Sequence, residues 1–333
     1  EVKPHYMTVV PRVLEKVYDK IYDTGTKAGG LKSKIFLWAL NVNQLKKTIS
    51  KPSGLQEIIA DKLVFSKWRE GLGGELVTLV SGSAALSSRL NLMFQNAGIR
   101  ILEGYGLTET SPVIAVNSVE KLRVGTVGHP LDNLDVKIAA DGEITVKGPS
   151  VFKSYYKNDE MTRDAFTTDG YFKTGDIGHI DEDGFLHITD RKKEMFKTSG
   201  GKYVAPQVIE NLAKASKFIE QIMVVGEGEK MPTALIQPDF NFAKSWAERS
   251  KINIGTTPAE IAQSKELKEE IEKEIENINS KLGNWEQIKQ IRLTPEVWSI
   301  EDGQLTPTLK LKRKAIKERY IDLYNDMYHT GHD

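Results

Sequence analysis

Between Leu76 and Glu103 the chain carries the pattern that most restricts its fold. A short, almost continuous apolar run (Leu76, Val77, Leu79, Val80) lies within residues 75–80, and a small-residue turn follows, Ser81-Gly82-Ser83-Ala84-Ala85. Then come a helix-like stretch from Leu86 to Asn96, Gly98, and a second short strand from Ile99 to Glu103. A strand apolar on both faces must be covered on both faces, and a strand–helix–strand unit joins parallel neighbours. The chain therefore reads as α/β, built on a parallel sheet.

Around this unit the periodicity changes twice. Val10, Val13, Leu14, Val17 and Ile21 recur every three to four residues, with Pro11 acceptable at a helix start, and Ile35 to Ile49 also suits a helix. From about Arg123 the pieces become short and β-prone: Val124 to Val127, Leu134 to Ala139, Glu143 to Val146 and Phe185 to Thr189, with Asp141-Gly142 and Asp183-Gly184 as hairpin turns. They predict a small antiparallel barrel or sheet. Beyond Lys193 the texture is mixed, with strands expected at Gln221 to Val225 and Thr233 to Gln237. A long amphipathic helix there presents Leu267, Ile271, Ile275, Ile278 and Leu282 on one face, with Glu269 and Lys273 as an i,i+4 pair. The 333 residues exceed what one core usually holds. Two domains are expected: 1–191, divided into an α/β part (1–122) and a barrel-like part (123–191), and a smaller α+β domain, 192–333.

Composition excludes several functions. Lys+Arg and Asp+Glu are equal at 46 each, so no overall field holds nucleic acid. The absence of cysteine removes disulfides, thiolate zinc sites and a cysteine nucleophile together. The six histidines show no metal-ligand spacing. No apolar stretch reaches the length of a membrane span, and Glu1-Val2-Lys3-Pro4-His5 lacks the order of a signal peptide, so a cytoplasmic setting is expected.

The segment Glu103-Gly104-Tyr105-Gly106-Leu107-Thr108-Glu109-Thr110-Ser111-Pro112 follows a predicted parallel strand, where open α/β sheets bind ligands. It begins like a dinucleotide fingerprint, but Glu109 stands where the third glycine belongs. Gly25 to Ser33 similarly lacks the lysine of a phosphate loop, having Leu31 there. Glycines let backbone approach a flat ligand, Tyr105 offers a stacking face, and Thr108 and Glu109 offer oxygens suited to Mg²⁺ on phosphates. The competing reading is a glycine-rich turn with Thr108 or Thr110 as a cap.

This block resembles the Tyr-Gly-x-Thr-Glu core of the adenylate-forming superfamily, which includes acyl-CoA synthetases, luciferases and peptide-synthetase adenylation domains. Other blocks occur in that superfamily's order. Gly82, Ser83 and Ala84 lie in a turn similar to the adenine-contacting one, although Ala85 replaces a common proline. Tyr171-Phe172-Lys173-Thr174-Gly175-Asp176 resembles the block whose aspartate binds the ribose hydroxyls. Asp190-Arg191-Lys192-Lys193-Glu194 with Ser199-Gly200-Gly201 resembles the hinge and its glycine loop. Gly303-Gln304-Leu305-Thr306-Pro307-Thr308-Leu309-Lys310-Leu311-Lys312-Arg313 resembles the terminal block with its catalytic lysine. That ending, with Val2-Lys3-Pro4-His5-Tyr6-Met7 near the start, is most similar to the long-chain fatty acyl-CoA synthetases.

The resemblance implies a two-step ligation of a long-chain fatty acid to coenzyme A, with ATP and Mg²⁺. It implies adenosine contacts from Gly82, Ser83, Ala84, Glu103, Gly104, Tyr105, Gly106 and Asp176, and a ribose or phosphate contact from Arg191. Thr108 and Glu109 would act on the magnesium and phosphates, Lys193 would be the hinge, and Gly200 and Gly201 would border the thiol tunnel. Lys310 would be the catalytic lysine, with Lys312 as the fallback and Arg313 completing a Lys-x-x-Arg pattern. No Ser/Thr/Gly-rich lysine loop for the β- and γ-phosphates precedes residue 80, so the chain is expected to be a carboxy-terminal half, inactive alone, with exposed apolar surface. A homodimer and a peripheral membrane contact are compatible expectations. A carrier-protein ligase, an adenylation domain and a non-catalytic nucleotide-binding module are the alternatives.

Overall fold

The computed structural model describes residues 2–46, 48–307 and 309–328. They form two compact units, 1–188 and 189–333. In the first, β1 (Tyr6–Val9), β2 (Thr78–Ser81) and β3 (Ile101–Gly106) run parallel in sheet order, as the strand–helix–strand pattern requires. The short β4 (Val113–Val116) and β5 (His129–Pro130) continue the sheet antiparallel. Helices α1 (Pro11–Lys27), α2 (Gly30–Gln44), α3 (Leu55–Ala60) and α4 (Ser66–Gly71) fill the long excursion between β1 and β2, and α5 (Ser88–Asn96) is the crossover to β3. A π-helical turn, Asp61–Phe65, joins α3 to α4. The apolar interior is shared by Leu14, Phe36, Leu40, Phe65, Trp68, Leu79, Phe94 and Ile101, so the helices and the parallel strands close one core. Burying each large side chain there contributes about 1.5–3 kcal/mol, before the entropy of ordering is subtracted.

The antiparallel part is a four-stranded sheet of β6 (Asp135–Ile138), β7 (Glu143–Lys147), β8 (Phe172–Ile180) and β9 (Leu186–Arg191) in sequential order, with α6 (Asp159–Ala165) in the β7–β8 connection. Gly142 and Gly184, both left-handed, make the turns expected at Asp141-Gly142 and Asp183-Gly184.

In the second unit, the two-residue strands β10 (Phe196–Lys197) and β11 (Tyr203–Val204) form a hairpin, and α7 (Pro206–Ala213) follows. The strands β12 (Ile219–Val225) and β13 (Thr233–Pro238) pair antiparallel, and β14 (Ile291–Leu293) joins β13 in parallel. Helices α8 (Phe240–Ser250), α9 (Pro258–Gln263), α10 (Lys265–Asn279), α11 (Arg313–Arg319) and α12 (Ile321–Tyr328) complete it. Leu267, Ile271, Ile275 and Ile278 of α10 are all buried in the core, as their spacing predicts.

Several expectations are corrected. Residues 124–127 form no strand: Gly125 is left-handed and the Thr126 carbonyl accepts from the Asn117 side chain, so only the end of the segment pairs with strand backbone, Val127 N–H donating to the Leu186 carbonyl at 3.0 Å. The helix expected over Ile35 to Ile49 is α2, which stops at Gln44, and Lys46 reaches across to Glu57 at 3.1 Å. Val13 is 45% exposed because α1 buries the arc through Leu14 instead. Lys273 pairs with Glu270 at 2.5 Å and not with Glu269, whose own partner is Lys265 at 3.7 Å. Leu282 lies past the end of α10, packed against the core from the following turn.

Candidate adenosine and lysine sites

Because β2 and β3 are parallel, the loops that leave their carboxyl ends emerge from the same edge of the sheet. Gly82 opens the first loop. A side chain there would sit 3.5 Å from the Gly104 carbonyl, so the two predicted segments lie against one another. Ser83, left-handed at φ 70°, and Ala84 are exposed. At the end of β3, Gly106 cannot be replaced: a Cβ would lie 1.8 Å from the Pro112 carbonyl oxygen. Chain closure there is local. Leu107 N–H donates to Thr110 Oγ1 at 3.0 Å, and the Thr110 hydroxyl is fully buried against the Leu107 and Pro112 carbonyls. Thr110 thus serves as the cap, which leaves Thr108 exposed and Glu109 half-buried beside it.

Glu103 is buried, and its carboxylate faces inward. It accepts from Asn91 Nδ2 at 2.8 Å and from the Leu86 amide at 3.4 Å, tying the start of α5 to β3. Burial pushes its carboxyl up to about 7 against these donors.

Asp176 reaches the same region through an irregularity in β8. Glu143 opposes Ile177 and Thr145 opposes Lys173, so residues 174–176 stand opposite Ile144 alone. Gly175 is left-handed at φ 74°, its N–H donates to Glu143 Oε1 at 2.9 Å, and the Thr174 hydroxyl donates to the Ile144 carbonyl at 2.7 Å. Such a bulge re-aims the next side chain. The Tyr105 hydroxyl then donates to Asp176 Oδ2 at 2.7 Å, with Tyr105 9% and Asp176 5% exposed. Two residues predicted separately are joined. Glu109 Oε1 accepts from the Tyr155 hydroxyl at 3.0 Å, a partner that no sequence signal indicated. That bond and burial push the Tyr155 hydroxyl up, burial being the larger cause.

The remaining candidates belong to the second unit. Arg191 and Lys193 are exposed on either side of Lys192, just after Asp190, which is buried and accepts at Oδ2 from the Gln207 amide in the first turn of α7 at 3.2 Å. Burial pushes the Asp190 carboxyl up to about 6, with Glu210 and Glu194 adding to the rise. Gly200 and Gly201 form the exposed tip of the β10–β11 hairpin. Gly201 is left-handed with open space around it, and the Ser199 amide donates to the Glu229 carbonyl at 2.8 Å. Lys310 is half-buried in a closed loop: Thr306 N–H donates to its carbonyl at 2.8 Å, and its own N–H donates to Thr306 Oγ1 at 3.0 Å. Lys312 is exposed. Thr308 of the terminal block lies outside the described residues. Among the described residues no group of three or more His, Asp or Glu is arranged to hold a metal ion. A Thr108–Glu109 pair suits a cation that arrives on phosphates and keeps most of its waters.

The AMP-binding enzyme profile matches residues 1–156, and the AMP-binding enzyme C-terminal domain profile matches 194–332. The chain is 39% identical over 332 residues to long-chain-fatty-acid–CoA ligase FadD15 of Mycobacterium bovis, covering 98% of this chain and 55% of that protein. It is 34% identical to long-chain-fatty-acid–CoA ligase 6 of Mus musculus, covering 98% and 48% respectively. The chain thus spans about half the length of these relatives. In fold it is similar to the adenylation domain of the carboxylate reductase of Mycobacterium chelonae, with TM-score 0.71 at 22% identity over 98% of this chain and 46% of that one. It is also similar to an anthranilate CoA ligase in complex with anthranoyl-AMP, with TM-score 0.63 at 19% identity over 97% and 50%. With both profiles matched in order along the two units, the chain belongs to the AMP-binding enzyme family.

Proposed function

We propose that the protein carrying this chain ligates a long-chain fatty acid to coenzyme A through an acyl-adenylate. The observation that carries this reading is the 39% identity with a long-chain-fatty-acid–CoA ligase, which extends over 332 residues and so through both units. The fatty carboxylate attacks the α-phosphate of ATP and pyrophosphate leaves; the thiol of coenzyme A then attacks the acyl carbon and AMP leaves. A free carboxylate has no adequate leaving group, and the mixed anhydride supplies one.

In this reading Gly82, Ser83, Ala84, Gly104 and Gly106 offer the adenine a backbone-lined edge. Asp176, held by Tyr105, accepts from the ribose hydroxyls. Glu103 acts from beneath, fixing the strand. Arg191 takes a ribose or phosphate oxygen, and Lys310 brings an ammonium to the charge that develops on the α-phosphate and departing pyrophosphate. Thr108 and Glu109 would hold Mg²⁺, which would neutralise phosphate charge. Gly200 and Gly201 leave room for a pantetheine arm, with Lys193 as the hinge between the two steps. We place the division between the large and mobile domains at 191/192. No helix among the described residues is long and apolar enough to cross a membrane. A cytoplasmic protein with peripheral membrane contact, and a homodimer, are part of the proposal; exposed Leu31, Leu45 and Leu55 support contact surfaces of that kind.

The test is fatty-acid-dependent ATP–pyrophosphate exchange across a panel of chain lengths, followed by addition of coenzyme A. Exchange that favours long chains, with acyl-CoA as product, is expected. Exchange with amino acids instead, or transfer only to a carrier protein, would overturn the assignment. The 333-residue chain by itself is expected to bind AMP without supporting exchange.

A further inference from the structure

The second unit holds a cluster of charges, buried at Glu210 and half-buried at Arg313 and Glu194, for which the two-step chemistry has no use. Arg313 is the first residue of α11, a position where the helix dipole disfavours a cation. Its guanidinium is nonetheless engaged on every side. It donates to Glu210 Oε1 and Oε2 at 2.8 and 2.7 Å, to Glu194 Oε2 at 3.1 Å and to the Val224 carbonyl at 3.2 Å. Glu210 is buried on α7 and also accepts from the Val224 amide at 2.8 Å. Glu194 is held in addition by the Gln207 side chain at 3.0 Å. One guanidinium therefore ties together α7, β12 and the segment directly after Lys193.

The same arginine closes the base of the Lys310 loop. Leu305 and Leu311 bridge across that loop, Leu309 is left-handed at φ 60°, and Lys312 N–H donates to the Gln304 carbonyl at 2.8 Å immediately before Arg313. With Lys310 N–H on the Thr306 hydroxyl, little backbone freedom remains between the lysine and the guanidinium. The glycine loop is held by different groups: the Ser199 amide bonds the Glu229 carbonyl, and the Glu229 carboxylate accepts from the Tyr324 hydroxyl at 3.1 Å.

We infer that Arg313 is a positioning residue that makes Lys310 and the hinge segment at Lys193 and Glu194 one rigid piece, so that turning at the hinge delivers the lysine in register for adenylate formation. This rests on the proposed ligase reading and adds to it a residue that touches no substrate. Cutting the tie should harm adenylation while sparing thioester formation, because the glycine loop has its own support.

The test uses the protein that carries this chain, with the two half-reactions measured separately: pyrophosphate exchange for adenylation, and release of acyl-CoA from a chemically prepared acyl-adenylate for the second step. Arg313→Met should lower exchange about 100-fold, the scale of a misplaced catalytic group, and leave the second step within about two-fold. Arg313→Lys keeps the charge without the planar fork, so it should fold normally and lose about ten-fold in exchange. Because Arg313→Met strands two carboxylates, the double variant Arg313→Met, Glu210→Met should regain melting temperature without regaining exchange. If exchange returns with melting temperature, or if both half-reactions fall together, Arg313 only supports the fold and the inference is wrong. Full exchange in Arg313→Lys would also overturn it. Lys310→Ala separates the two levels: loss of exchange there with intact Arg313 variants sinks the coupling alone, whereas unchanged exchange in Lys310→Ala sinks the ligase role of Lys310 as well.

Discussion

The Tyr105 hydroxyl donates to Asp176 Oδ2 at 2.7 Å, joining the end of β3 to the bulge in β8 across 71 residues of chain. A carboxylate meant to receive ribose hydroxyls needs a fixed orientation, and this bond supplies one. Asp176→Ala is expected to abolish AMP binding. Tyr105→Phe keeps the ring and removes the donor, and should weaken AMP by about ten-fold, the size of one hydrogen bond to a charged group. Isothermal titration calorimetry of both variants decides this; unchanged affinity in Asp176→Ala removes the residue from the site.

Tyr155 holds Glu109 as Tyr105 holds Asp176. If Glu109 serves the magnesium of ATP, Tyr155→Phe should raise the Mg²⁺ concentration needed for half-maximal adenylation several-fold, on the order of 1 kcal/mol. The melting temperature should barely move, because Tyr155 is only part-buried. A magnesium dependence identical to that of the unaltered protein would detach Tyr155 from the metal.

Glu103 makes stability depend on pH. Its carboxyl stands at about 7 in the fold against an ordinary 4.5, so the folded state binds the extra proton between those values. Stability from this group is therefore fully present below pH 4.5 and is lost as pH rises towards 7, by roughly 3 kcal/mol. Asp190, pushed up to about 6, adds a slope of the same sign, so the comparison must be made with a variant. Glu103→Gln should flatten the difference in melting temperature between pH 5 and pH 7.5 relative to the unaltered protein. Parallel curves for the two proteins would show that Glu103 titrates normally.

Gly106 and Gly201 separate two uses of glycine. At Gly106 a methyl group would overlap the Pro112 carbonyl, so Gly106→Ala must displace the 106–112 loop and should lose AMP binding. At Gly201 there is space but a left-handed backbone, and Gly201→Ala should cost about 1 kcal/mol locally and slow only thioester formation. Loss of adenylation in the second variant would contradict the division of labour between the two steps.

Much of the first unit was legible in advance. The apolar run at Leu76 to Val80, the crossover helix and the second strand predicted parallel pairing, since a buried strand and a helix-length connection allow little else. The segment 124–127 misled because the Thr126 carbonyl is taken by the Asn117 side chain, a group that the fold brings to it, and Gly125 is left-handed. Edge strand β1 has no expectation in the sequence to set against it, because four residues leave too short a pattern.

In the site, residue types and their order were readable, and their partners were not. The glycines, Thr108, Glu109, Asp176, Arg191 and Lys310 stand in blocks that resemble those of the adenylate-forming superfamily, and it is that resemblance that proposes them as site residues. Tyr155 beside Glu109, Asn91 beside Glu103, and Glu210 with Glu194 around Arg313 are pairings over 46, 12, 103 and 119 residues. A hydrogen bond needs atoms about 3 Å apart, and no periodicity along a chain encodes that distance. Local sequence therefore determined the elements, the turns and the candidate chemistry; tertiary packing alone decided which carboxylates are buried, which donors hold them, and that Arg313, expected to complete a Lys-x-x-Arg pattern, is half-buried between Glu210 and Glu194 of the second unit.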